Sequence, residues 1–258
     1  MSGLALTGER TLPGIGHENY WYRRHEAGYR AAARFLAENP RMPPAGVLLE
    51  AGAGEGYGAA LLAARTGARV LALDYDPVVL AGLPARHPGV AAVRANLVAL
   101  PLGTATVAAV VSLQTVEHLW DQPGFLAECA RVLRPGGRLV LSTPNRRTFP
   151  PGNPFHAREL DAAELAALVR PPLAVRRVAG LAHGPRLAAW EARHGSLVDA
   201  QLATPPTEWP ASLRRVVAAV RAGDFVATND TRGALDLLLL AEHPAGAGPA
   251  AAGASRPV

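Results

Sequence analysis

Residues 47–56 are the first place where residue type and spacing suggest chemistry. There Val47, Leu48 and Leu49 run into Glu50, Ala51 and three alternating glycines, Gly52, Gly54 and Gly56. Lacking a Cβ, glycine lets a chain turn sharply and lets a ligand come close to the backbone, although packing alone can also demand it. The G-x-G-x-G spacing differs from the G-x-G-x-x-G dinucleotide fingerprint. A second apolar run, 70–73, ends in Asp74. A carboxylate at such a strand end can accept both hydroxyls of a ribose across the carboxyl edge of a sheet. The loop and the acid together describe a nucleoside site.

The elements that must position this pair are short and continuously apolar. Runs at 47–49, 70–73, 107–113 and 139–142, with a weaker one at 90–93, read as parallel strands covered on both faces. Helices are predicted at 57–65, 77–83 and 122–133, the last closed by a helix stop and tight turn at Arg134-Pro135-Gly136-Gly137. Further strands are predicted at 173–178 and 235–241, and a helix at 161–169 with Asp161 and Glu164 at capping-box spacing. The alternation implies an α/β, Rossmann-like doubly wound sheet of seven strands. An amphipathic helix at 18–36 has no strand partner and is expected to cap a cleft or the sheet edge. The expected organisation is one domain over 1–243. It comprises an N-terminal cap (1–44), a cofactor-binding core (45–180) and an acceptor-side insertion of mixed helices and loops (182–233), followed by an Ala/Gly/Pro-rich flexible tail at 244–258.

Composition narrows the function classes. The chain has 258 residues, 49% hydrophobic and 18% charged, which excludes a wholly disordered protein. All 26 basic residues are arginine against 21 acids, a formal charge of +5. Guanidinium groups favour phosphates, but these are scattered rather than run together, and Ala, Gly and Pro are abundant too, so compositional bias explains the surplus and no nucleic-acid partner is expected. The single cysteine, Cys129, excludes an intramolecular disulfide and a cysteine zinc cage. No stretch approaches a membrane span and residues 1–10 lack a signal-type apolar core, so a soluble, cytoplasmic protein is expected.

The motifs EAGAGEGYG, ALDYDP, RANLVALPL, SLQTVEHLWD and RVLRPGGRLVLSTPN follow one another in this order. Over about residues 45–180 the chain resembles the class I S-adenosylmethionine-dependent methyltransferases. The resemblance implies S-adenosyl-L-methionine as cofactor. Glu50, Gly52, Gly54 and Gly56 would shape the pocket for its methionine and sugar parts, Asp74 would bind the ribose, and Tyr75 would lie near adenine. Asn96 stands where the family commonly has Asp beside the adenine amine, with Leu97 next to it, and Gln114 would form the floor of the site.

Methyl transfer from a sulfonium is an in-line displacement in which the protein chiefly brings the nucleophile onto axis. A protonated aliphatic hydroxyl is a poor nucleophile and needs a base or a metal. Glu117, His118 and His156 are expected at that end of the sheet. The stretch from Gln114 to His118 is similar to the E-x-x-E-H motif of ubiquinone-pathway and small-RNA 2′-O-methyltransferases, where two Glu and a His ligate a divalent cation. Here Gln114 replaces the first Glu, removing an anionic ligand, although an amide oxygen can still coordinate Mg²⁺. Glu117 can equally be a helix-start carboxylate favoured by the macrodipole, and each His a hydrogen-bonded spacer.

The segment Thr7 to Gly14, the run from Glu18 to His25, and His183-Gly184-Pro185-Arg186 with Arg193-His194-Gly195 resemble an actinobacterial group associated with polymethylated glucose polysaccharides. That resemblance implies an oligosaccharide or small-molecule acceptor, with Arg24 pairing with the cofactor carboxylate. It also suggests a basic rim of Arg23, Arg24, Arg186 and Arg193 that favours an anionic cofactor carboxylate or acceptor. A phenolic or quinone-like acceptor and a non-catalytic cofactor-binding protein are the rival readings. The sequence leaves the oligomeric state open.

Overall fold

In the computed structural model, residues 11–38 and 46–245 are described. Residues 7–10 of the lead-in segment and the tail from residue 246 lie outside them. The apolar runs form strands β1 (Val47–Ala51), β2 (Arg69–Asp74), β3 (Ala91–Arg94), β4 (Val107–Leu113) and β5 (Leu133–Pro144), followed by β6 (Ala174–His183), β7 (Phe225–Thr228) and β8 (Asp236–Glu242). They make one sheet in the order β3-β2-β1-β4-β5-β8-β6-β7. β3 to β5 pair in parallel, β8 runs antiparallel to both β5 and β6, and β7 is antiparallel to β6.

The sheet therefore has eight strands rather than the seven predicted. The extra one, β7, lies in the stretch read as helices and loops. Four residues at a sheet edge, with two of them exposed, carry too little periodicity to be legible. Another difference lies at Arg134 to Gly137. The helix does stop at Val132, but the glycine turn is absorbed into β5, where the register shifts between the Val107 and Ala109 pairings and Gly136 takes φ +74.

Helices cover both faces. In chain order they are α1 (Asn19–Ala37), α2 (Tyr57–Thr66), α3 (Pro77–Arg86), α4 (Gln122–Val132), α5 (Ala162–Val169), α6 (Pro185–His194), α7 (Leu197–Leu202) and α8 (Ala211–Ala219). Successive strand residues point to opposite faces, and β1 shows the result. Leu48 joins the cluster that takes in α1, α2, α3 and the 182–233 helices, whereas Leu49 and Ala51 join the one under α4 and α5. The Asp161–Glu164 capping box opens α5 as its spacing predicts. α1 packs on α2 and places Tyr20, Tyr29, Phe35 and Leu36 in the core. A buried ion pair ties it to the start of β8, where Arg24 donates through Nε to Asp236 Oδ2 at 2.8 Å, through Nη2 to Asp236 Oδ1, and to the Leu235 carbonyl at 3.0 Å.

Candidate active site

β1 ends in a loop whose three glycines all have positive φ. At Gly52, φ is +82 and a Cβ would stand 2.4 Å from Thr115 Oγ1, so any side chain would collide with the turn after β4. Gly54 faces open space, and its N–H donates to Asp74 Oδ2 at 2.8 Å, while the Asp76 N–H donates to Asp74 Oδ1 at 3.0 Å. Two backbone amides thus fix the Asp74 carboxylate across the mouth of the glycine loop, leaving its remaining lone pairs to accept further bonds.

Glu50 is fully buried, neither oxygen has a well-formed hydrogen bond among the described residues, and burial pushes its pKa up to about 8, with the nearby Tyr29 hydroxyl and Ala59 N–H acting in the opposite sense. A buried acid so weakly bonded invites a donor or a cation from a ligand. Together with a turn that leaves open space over Gly54, this fits a nucleoside cofactor bearing an ammonium group.

Tyr75, 67% exposed, follows Asp74, and the Arg94 guanidinium lies 5.3 Å from its ring centre. Asn96 is exposed and turns its Oδ1 to the Val98 N–H at 3.1 Å, while Leu97 is buried. Gln114 occupies a left-handed backbone conformation, φ +52, unusual for a residue with a side chain. The Ser142 carbonyl accepts its N–H at 2.9 Å, and its Nε2 donates to Ser142 Oγ at 3.1 Å. Strain of this kind costs about 1–3 kcal/mol and persists where surrounding structure imposes it.

Two cavities meet at Gln114. One, about 70 Å³, contains Gly52, Gly54, Glu55, Tyr29 and Tyr57, the side of the glycine loop. The other, about 270 Å³, contains Glu117, His118 and His156 together with Glu18 and Trp21 from the N-terminal side and Gln201 and Trp209 from the insertion. Among the described residues, Thr11, His25 and Gln114 line both. His25 was not assigned a role from sequence. Its signal was its place on the stripe of α1 that carries the buried Tyr29, Ala32 and Leu36, where a polar residue is out of pattern. Its Nδ1 lies 2.9 Å from the Tyr57 hydroxyl and 3.2 Å from Thr11 Oγ1. Burial drives its pKa down to about 4, with Asp236 opposing and Arg24 and His118 adding to the fall, so the imidazole is neutral at neutral pH.

The predicted acceptor-side residues converge. One ligand atom from each of Glu117, His118 and His156 falls within 4.8 Å of the others. A 3₁₀ turn after β4, Val116–His118, supplies the first two, and the Pro-rich loop after β5 supplies the third. Hydrogen bonds define the tautomers. The Phe155 carbonyl, 3.1 Å away, can only accept, so His118 carries its proton on Nδ1 and its basic lone pair on Nε2. The Glu159 carboxylate, 2.8 Å away, likewise takes the Nδ1 proton of His156, whose Nε2 accepts from Asn153 at 3.1 Å. Glu159 and Asn153 were missed from sequence, because nothing in a Pro-rich loop marks which residue orients which.

The basic rim is not assembled. Arg23 pairs with Glu26 at 2.7 Å, Arg186 pairs with Asp224 at 2.5 Å, and both Arg186 and Arg193 line a separate groove between α6 and α8. Arg24 reaches the larger cavity but is held by Asp236 and does not line the glycine cleft. Helical arginines find nearby carboxylates, a pairing that counts of charge do not reveal.

A mixed sheet with a glycine turn after its first strand, a carboxylate after its second, and a cavity beyond its fourth and fifth defines a nucleoside-cofactor-dependent transferase of Rossmann-like build. Residues 49–141 match the family model described as a methyltransferase domain. A probable S-adenosylmethionine-dependent methyltransferase of Mycolicibacterium smegmatis is 47% identical, covering 94% of this chain and 96% of its own length. One of the same description from Mycobacterium tuberculosis is 48% identical, covering 93% and 90%. A ubiquinone biosynthesis O-methyltransferase of Xanthomonas axonopodis is 32% identical over 56% of this chain and 70% of its own. Among solved structures, geranyl diphosphate C-methyltransferase of Streptomyces coelicolor, in complex with Mg²⁺, geranyl diphosphate and S-adenosyl-L-homocysteine, shares the fold at a TM-score of 0.55 and 19% identity, covering 83% of this chain and 80% of its own. The chain belongs to the S-adenosylmethionine-dependent methyltransferases, and S-adenosyl-L-methionine is its methyl donor.

Proposed function

We propose that the chain is an O-methyltransferase acting on a hydroxyl of a sugar, in a glycan or glycolipid precursor. The carrying observation is the pair of imidazoles in the larger cavity, each with Nδ1–H donated to an oxygen, which puts the basic lone pair on Nε2, that of His156 accepting from Asn153. When bound, S-adenosyl-L-methionine supplies an electrophilic methyl group on a sulfonium. The chain's own residues do the rest. Asp74, with the loop of Glu50, Gly52, Gly54 and Gly56, holds the cofactor's ribose and methionine parts, and Tyr75, Asn96 and Leu97 border its adenine. The passage bounded by Thr11, His25 and Gln114 is where acceptor and donor meet.

Nε2 of His118, or of His156 once its Asn153 bond is released, takes the acceptor hydroxyl proton as that oxygen bonds to the methyl carbon and the methyl–sulfur bond breaks with its electron pair going to sulfur, and the proton then leaves to solvent. A base so placed contributes about 10²–10⁴-fold. α1 serves as the cap of the cleft and Arg24 Nη1 is the nitrogen left to meet a cofactor carboxylate. O-methylation is supported by the more distant relative named as a ubiquinone biosynthesis O-methyltransferase.

A labelled-methyl transfer assay against oligosaccharides and phenols, with product linkage read by NMR, tests the reading. Methylated saccharide is the expected result, and turnover of phenols alone would replace the sugar by an aromatic acceptor. The closeness of Glu117, His118 and His156 favours a second reading, a divalent cation held by those three and lowering the hydroxyl pKa. Activity lost on chelation and restored by Mg²⁺ would establish it. Full activity in chelator leaves the imidazoles as bases.

A further inference from the structure

Gln201, on α7 of the 182–233 insertion, lines the larger cavity and is 5% exposed. Its Nε2 donates to the Leu197 carbonyl one helical turn back, at 3.0 Å. A carbonyl can only accept, so this bond fixes the amide's orientation and turns Oε1 away from its own helix. Oε1 is buried and has no hydrogen-bond partner among the described residues. An unsatisfied acceptor of this kind is costly in a folded protein and is retained where a ligand completes it. Such an acceptor calls for a donor on the ligand, and a hydroxyl group supplies one.

Charge selects among such ligands. Among the described residues the guanidinium that lines the cavity is that of Arg24, which Asp236 already pairs. Among those residues a sugar phosphate or uronate would find no arginine left unmatched to receive its charge, which favours a neutral saccharide in a partly enclosed site. Trp21 and Trp209 line the cavity as apolar surfaces.

We infer that Gln201 is an acceptor-recognition residue, its Oε1 accepting a hydrogen bond from a hydroxyl of an uncharged saccharide beside the one that is methylated. This rests on the sugar-hydroxyl reading above and assigns the insertion its part in specificity.

The test crosses Gln201→Leu and Gln201→Glu with a series of monodeoxy methyl glucosides, measuring kcat and KM, with cofactor affinity by calorimetry and thermal melting as checks on the fold. Wild type should lose about tenfold in kcat/KM for one deoxy position, the size of one buried hydrogen bond. Gln201→Leu should lose a similar factor on the parent sugar, mostly in KM, and be insensitive to that same deoxygenation, whereas Gln201→Glu, still an acceptor, should keep the sensitivity. Neutral glucosides should outperform the corresponding 6-phosphates. Additive losses, or a flat deoxy series on the wild type, which needs no variant, would overturn the role of Gln201 while leaving sugar methylation standing. Wild-type turnover of phenols but of no saccharide would overturn the acceptor class and this inference with it.

Discussion

The two cavities that meet at Gln114 are built from different materials. On the cofactor side the decisive groups are backbone: positive-φ glycines, the Gly54 and Asp76 amides that hold Asp74, and strand ends set by the parallel ladder. On the acceptor side they are side chains brought from Glu18 and α1, the turn after β4, the loop after β5 and α7. Backbone geometry repeats wherever the same cofactor is held, while a wall of side chains from four distant segments can be changed one residue at a time without disturbing the sheet. In the proposed reading, donor binding rests on backbone geometry and acceptor choice on side chains.

Substitutions should separate the halves. The largest effect is expected from His118→Ala combined with His156→Ala, which should lower kcat by about 10²–10⁴-fold while cofactor affinity by calorimetry stays within a few-fold of wild type. Lost cofactor binding would mean that the two cavities are not independent. Asp74→Ala should do the reverse and remove detectable cofactor binding, because it loses both a ribose partner and the anchor of Gly54. Retained affinity would detach the ribose from Asp74.

Glu50 adds a pH signature. Its folded pKa, about 8, lies above its ordinary value of 4.5, so the folded chain holds a proton that the unfolded chain has released. The stability of the cofactor-free protein should therefore fall as pH rises from about 4.5 to 8. His25, depressed to about 4 from 6.5, works in the opposite direction, adding stability as pH rises between those values. The two offset each other at acid pH, and the fall should emerge between about 6.5 and 8. Glu50→Gln should flatten that limb in thermal melts, and an unchanged slope would place the ionisation elsewhere. The smallest effect is expected from Arg193→Ala, which lines the α6–α8 groove and not the acceptor cavity, so that kcat and KM should change less than twofold, about 0.4 kcal/mol.

The same division explains what could be read before the fold was known. Buried parallel strands and a glycine turn are dictated locally, so β1, β2, β4 and the Asp74 corner follow from runs of a few residues. Pairing across long separations does not. That Arg24 would face Asp236, 212 residues away, or that His156 would be oriented by Glu159 rather than serve as a spacer, depends on where loops return. The four-residue β7 at the edge and the bulge that takes up Gly136 are likewise decided by tertiary pairing rather than by propensity. His25, Glu159 and Gln201 went unassigned for this reason.

β8, the last strand among the described residues, is not at an edge but between β5 and β6. A chain growing from its N-terminus therefore has the glycine loop and both histidines in hand before it has the strand that joins its two halves. Until Asp236 arrives, Arg24 would be a cation with no counterpart, and β6 with β7 would have no sheet to join. Competence waits on β8 and on the closure of a contact between residues 212 apart in the sequence. Without that strand nearly every residue of the site is present, but β6 and β7 are not joined to β5.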